Sequence, residues 1–133
     1  MSDDLEFLHE HLPGYRGYDD EEARHGTDIR VRAYAGEALA VARERLSGEL
    51  DESLSNALED MLLRCQFSDQ VFVRTFEHAT IDEATSTALI HNDREIVAVA
   101  HRAESVTASE LPSLLQELDA HFTYRLAPKP AGV

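Results

Sequence analysis

The stretch from Thr80 to Glu104, TIDEATSTALIHNDREIVAVAHRAE, decides the fold class of this chain. Read as a helix, it opens with Thr80 and Glu83 at the Thr-x-x-Glu spacing of a capping box, in which each side chain satisfies a backbone N–H of the other residue. Downstream, Ile81, Thr85, Ala88, Asn92, Ile96, Val99 and Ala103 recur at steps of three and four, which places them on one side of a 3.6-residue helix. Read as a hairpin, TSTALI and EIVAVA are strands joined by HNDR, and their β-branched residues suit a pleated surface. That turn has no glycine, although four-residue hairpin loops do form without one. Capping and periodicity favour the helix.

The rest of the chain reads as helices of ordinary length. Residues 2–12 form a short one, with Ser2 as cap and Leu5, Leu8 and Leu12 on one side, stopped by Pro13 and Gly14. Asp19 or Asp20 caps a second, running to Ser47 before Gly48, with a core face of Val31, Tyr34, Ala35, Ala38, Ala42 and Leu46. Alanine on that face lets a neighbour approach closely, so this helix belongs at the centre of a bundle or at an interface. Gly26 is a point where it starts late or kinks, with Thr27 as the alternative cap. From Asp51 to Gln66 a third helix turns Leu54, Ala57, Leu58, Met61, Leu62 and Cys65 to one side. Residues 67–79 hold three of the five phenylalanines and read as a core segment, either a short helix capped by Ser68 or a strand. Thr107 and Glu110 form a second capping box, with Leu111, Leu114, Leu115, Leu118 and Phe122 on the helix after it and Pro112 tolerated in the first turn.

The expected architecture is therefore one all-α domain over residues 1–126, a bundle of about four main helices plus a short N-terminal one, followed by a flexible tail over 127–133. The alternative is α+β, with a small antiparallel sheet from residues 70–77, 85–90 and 95–100.

Charge narrows the function. Against 26 acidic residues stand 12 basic ones, a net charge of −14, and Lys129 is the only lysine. Such a chain repels phosphate, which argues against nucleic-acid and anionic-membrane partners, since both depend on clustered Lys and Arg. Its acidity also fits a salt-adapted cytoplasm, where surface carboxylates are screened. The longest apolar run is about five residues, far short of the roughly 20 that a membrane helix requires. The N-terminus SDDLEF has no basic start of a signal peptide, so a cytoplasmic location is expected. A single cysteine, Cys65, forms no internal disulfide and reads as a small core residue.

Catalytic patterns are sparse. Glu6 with His9 and Glu22 with His25 have the Glu-x-x-His spacing of di-iron bundles, but the first pair sits on a helix of about three turns, and both read as solvated surface. His91 and Glu95 face each other if the helical reading holds, as a surface pair. Neither G-x-S-x-G nor a phosphate-cradling glycine loop occurs. The distinctive run is LPGYRGY, residues 12–18, with an arginine between two tyrosines in a glycine-bounded turn. Tyrosine and arginine are enriched at binding hot spots. Tyr15, Arg16 and Tyr18 are thus candidates for a partner-binding surface; otherwise the rings close one end of the bundle and Arg16 pairs with the DDEE cluster after it.

The L-P-G-[YF]-[KR]-G-Y run before a long charged helix, together with FSDQVFVRTFEHATID at residues 67–82, resembles an uncharacterised family of small bacterial helical proteins. The resemblance implies an all-helical fold and carries no known activity. That family is strongly basic after the turn, where this chain reads DDEEARHGTD.

The functional expectation is a non-enzymatic adaptor or scaffold with no cofactor or metal. It binds a protein partner, or itself, through a helix face and the Tyr15, Arg16, Tyr18 loop. Other classes are a metal-binding bundle or metal-dependent enzyme, and a ligand-sensing module should the hairpin form.

Overall fold

A computed structural model of the chain describes residues 3–66 and 80–125. They form five helices, α1 (Asp3–His11), α2 (Glu21–Arg45), α3 (Glu52–Gln66), α4 (Glu83–Arg102) and α5 (Leu111–Tyr124), and no strand occurs among them. The α+β alternative falls because residues 85–90 and 95–100 both lie inside α4. Its third strand, residues 70–77, lies outside the described residues, as do the aromatic segment 67–79, Ser2 and the tail 127–133.

The packing is a ring. α2 contacts α3 and α4, α5 closes the ring by contacting both of them, and α1 lies against α4. α2 packs between α3 and α4 and spends its alanine face on the core, while α4, with three neighbours, takes the more central place. Val31, Ala35, Ala38, Ala42 and Leu46 are buried together with Leu39, and Tyr34 is half-buried. Gly36 sharpens this approach, since a Cβ there would stand 3.2 Å from Cys65 Cβ on α3. The helix runs unbroken through Gly26, and Thr27 caps nothing: its hydroxyl donates to the carbonyl of Gly17 at 2.9 Å. Asp20 is the cap, accepting from Ala23 N at 2.7 Å.

The start of α4 differs from the sequence reading. Asp82, rather than Thr80, accepts from Thr85 N at 2.7 Å, and the helix begins at Glu83. An ionised carboxylate at the positive end of a helix dipole binds these N–H groups more strongly than a hydroxyl does. The second capping box forms as read. Thr107 N donates to Glu110 Oε1 at 3.0 Å, and Glu110 N donates to Thr107 Oγ1 at 3.3 Å, with α5 starting one residue later and Pro112 in its first turn.

Cores differ in how much of the predicted face they use. On α5 all five expected residues are buried, and on α3 Leu58, Met61, Leu62 and Cys65 are, while Ala57 is exposed. α4 touches three neighbours, so its buried band is wider than one stripe and adds Leu89, Asp93, Val97 and Ala100 to Asn92, Ile96, Val99 and Ala103. We expect Asp82→Ala to lower the melting temperature by a few degrees and Thr80→Ala to leave it unchanged, read by circular dichroism at neutral pH.

Candidate functional site

The LPGYRGY loop turns at Gly14 and Gly17, both at positive φ (88° and 71°), a conformation that L side chains rarely adopt. This geometry sends both tyrosines inward. Tyr15 and Tyr18 are 2% and 1% exposed, and their hydroxyls donate to the same oxygen, Oδ2 of Asp93 on α4, at 2.8 and 2.5 Å. Of the candidates Tyr15, Arg16 and Tyr18, both rings are thus taken into the interior. The two rings close the end of the bundle, because a buried carboxylate offers their hydroxyls a stronger partner than water does. Arg16 alone faces solvent, 3.4 Å from Glu22.

Asp93 belongs to a buried ionic group. Its Oδ1 accepts no hydrogen bond among the described residues and lies 3.7 Å from Arg125 Nε, just past the end of α5. Arg125 donates to Asp28 Oδ1 at 2.7 Å, Asp28 accepts from Arg32 Nε at 3.0 Å, and Arg32 reaches the carbonyl of Cys65. Burial pushes the Asp93 carboxyl up to about 6, against the pull of Arg125 and the tyrosine hydroxyls. Burial and the Asp93 charge hold both phenols protonated, far above their ordinary range. Desolvation also raises the Cys65 thiol to about 11, which keeps it an inert core residue. All of these groups are buried, and the cluster ties the loop before α2, α2, α4 and the end of α5 together.

The accessible site is a groove of about 1050 Å³ between α4 and α5, lined by Ala84, Thr87, Ala88, His91, Asn92 and Glu95 of α4, by Ala120, His121 and Tyr124 of α5, and by Asp4 of α1. Asn92 and His121 bridge the two helices. Asn92 Nδ2 donates to the His121 carbonyl at 2.9 Å, which leaves Asn92 Oδ1 to accept from His121 Nδ1 at 2.8 Å. Burial pushes the His121 imidazole pKa down, against the field of Glu95 and Glu117, and so favours the neutral ring. Asp4 ties α1 to α4, accepting from Arg94 at 2.8 Å and from His91 Nδ1 at 3.1 Å. Burial works upward on the Asp4 carboxyl, but these two partners hold it below its usual range.

The metal-type pairs stay apart. Glu6 and His9 are exposed, His25 meets Glu21 at 3.9 Å rather than Glu22, and His91 Nε2 lies 3.8 Å from Glu95. Among the described residues no three His, Cys, Asp or Glu side chains converge as ligands for a metal ion. The sequence reading missed Asp93, Asp28, Arg32 and Arg125. The available signal was an aspartate falling next to the apolar line of a helix, at the level of Leu89 and Val97. No protein-family model, curated protein or solved structure matches the chain.

Asp93 generates three predictions. Its folded pKa of about 6 exceeds the unfolded value of 3.8, so from pH 4 to 6 the folded state holds a proton that the unfolded state releases. This group's contribution to stability is therefore fully present below pH 4 and falls as pH rises through 6. The difference between wild-type and Asp93→Asn unfolding free energies should show that slope in urea titrations, opposite in sign to that of the capping carboxylates. At pH 7, Tyr18→Phe should cost about 1.5–3 kcal/mol, one hydrogen bond to a charged acceptor. Arg125→Met should cost more, about 3–5 kcal/mol, because it leaves Asp93 buried without its cation.

Proposed function

We propose that the protein is a non-enzymatic interaction module, an adaptor or scaffold, that docks a protein partner along the groove between α4 and α5. The observation that carries this reading is the composition of the groove. Ala84, Ala88 and Ala120 leave a large accessible volume beside polar groups that already bind one another, so the groove offers shape and apolar contact. The alanine face of α2, the other candidate surface, is spent on the core. Arg16 remains as a second contact point on a separate loop. Its net charge of −14 argues against nucleic acid as the partner. Among the described residues no helix is long and apolar enough to cross a membrane.

A photo-crosslinking residue at Ala120 tests the docking face. In cell extract it should give an adduct of defined mass that disappears when Ala88→Trp fills the groove, with no such adduct from the same probe at Glu49. Equal adducts at both positions, or none at Ala120, would overturn the reading. Arg16→Ala should leave the melting temperature nearly unchanged, since an exposed ion pair contributes about 0–1 kcal/mol, and should weaken capture of the partner.

A further inference from the structure

We infer that residues 3–16 form a strap that opens away from α4 about Gly17, with the hydrogen bond from Tyr15 to Asp93 as its catch and hydration of the Asp93 carboxylate as the gain on opening. The two tyrosines on Asp93 Oδ2 belong to different parts of the structure. Tyr15 moves with α1, because its N–H donates to the Leu12 carbonyl at 3.0 Å and the Leu12 N–H donates to the Leu8 carbonyl at 2.7 Å. Tyr18 is tied to α2. Its carbonyl accepts from Arg24 Nε at 3.0 Å, and the Gly17 carbonyl just before it accepts from the Thr27 hydroxyl at 2.9 Å. One carboxylate oxygen therefore joins a unit that ends with the strap to a unit that begins at Gly17. Gly17 sits at a φ of 71° and has no Cβ to restrict it, so the chain can turn there.

Among the five helices α1 packs on α4 alone, and its His11 ring stands 6.4 Å from the Tyr34 ring of α2. At its start, Asp4 holds Arg94 and His91 within reach of water, which can replace those bonds. The cost of closing the strap falls on Asp93. That carboxyl is fully buried, and its Oδ1 accepts no hydrogen bond among the described residues, so its ionised form gains from contact with water. Facing it are Tyr15 and Tyr18 of the loop, Arg125 after α5 and Asp28 of α2, with Arg32 beyond Asp28. Opening takes Tyr15 away and admits water, while Tyr18 and Arg125 stay. The open state therefore binds the Asp93 proton less firmly than the closed state, in which burial raises the carboxyl to about 6. It follows that the strap is tighter in acid and loosens as pH rises from 4 to 6. Four histidines lie on the strap or against it, His9, His11, His91 and His101, so the pH dependence is read against an Asp93 variant that keeps all four. Asp4 also lines the groove between α4 and α5, so opening removes part of one groove wall, a consequence that alone rests on the docking reading above.

Native-state hydrogen exchange of the full chain, followed by NMR between pH 4 and 6.5 and expressed as protection factors, tests the strap. Amides of α1 should exchange through an opening that leaves α5 protected, and their protection should fall by about tenfold or more across that range. In Asp93→Asn that fall should disappear. Two conservative variants decide the matter independently of whether Asp93→Asn folds. Tyr15→Phe deletes a bond that is broken both in the open state and on global unfolding, so protection of α1 and of α5 should drop by the same factor, about tenfold or more. Tyr18→Phe deletes a bond that the open state keeps, so α5 protection should drop in the same way while α1 protection stays within about threefold of wild type. Equal protection of α1 and α5 in the wild-type chain would overturn the inference. So would a Tyr18→Phe chain in which α1 falls as far as α5, or an α1 pH profile that Asp93→Asn leaves intact. The chain is measured alone, so failure of the Ala120 crosslink removes the docking reading and leaves the strap standing.

Discussion

One carboxylate holds the ends of this bundle together. Asp93, fully buried on α4, receives both tyrosine hydroxyls of the loop between α1 and α2, and Arg125 beside it links the end of α5 to Asp28 on α2. Three chain segments far apart in sequence meet at that point. The arrangement is expensive in desolvation, as the upward shift of the Asp93 carboxyl shows. A hydrophobic group of similar volume would often be equally stabilising in such a place. The ionic group contributes directionality instead. Leucines on α2, α4 and α5 tolerate small rotations, whereas two hydroxyls on one oxygen and a guanidinium between two aspartates allow one register of the helices.

The acidity of the chain is put to use in a similar way. Asp20, Asp51, Asp82 and Glu110 accept backbone N–H groups at helix starts or in the turn before α5, and Asp4, Glu59, Glu117 and Asp119 hold arginines of neighbouring helices. The exposed pairs contribute little each. Their collective effect is to place arginine's planar fork where a cation is needed, and most of the remaining carboxylates of the described residues, Asp28 and Asp93 apart, stay in contact with water and give the surface its negative field.

The leucine stripe of α5 and the Thr107 capping box were legible in the sequence because both are local: a period of 3.6 and a spacing of three specify them without any partner. α4 was legible only as a helix. Its width was not, since a helix touching three neighbours buries residues on several ridges, and Leu89 and Val97 fall off the single line through Ile96 and Asn92. Asp93 sits in HNDR, the turn of the less favoured hairpin reading, and its partners are 75 and 78 residues away. For the same reason Tyr15 and Tyr18 could be recognised as rings that must be buried somewhere, but not as rings buried inside the chain rather than against a partner.

The groove follows from the position of α4. With α1, α2 and α5 all packed on it, its large apolar residues are committed inward, and the side between α1 and α5 is left to Ala84, Thr87, Ala88 and His91. Leucines there would have exposed an apolar patch open to non-specific association. Alanines expose little area and keep the backbone of α4 accessible to close approach.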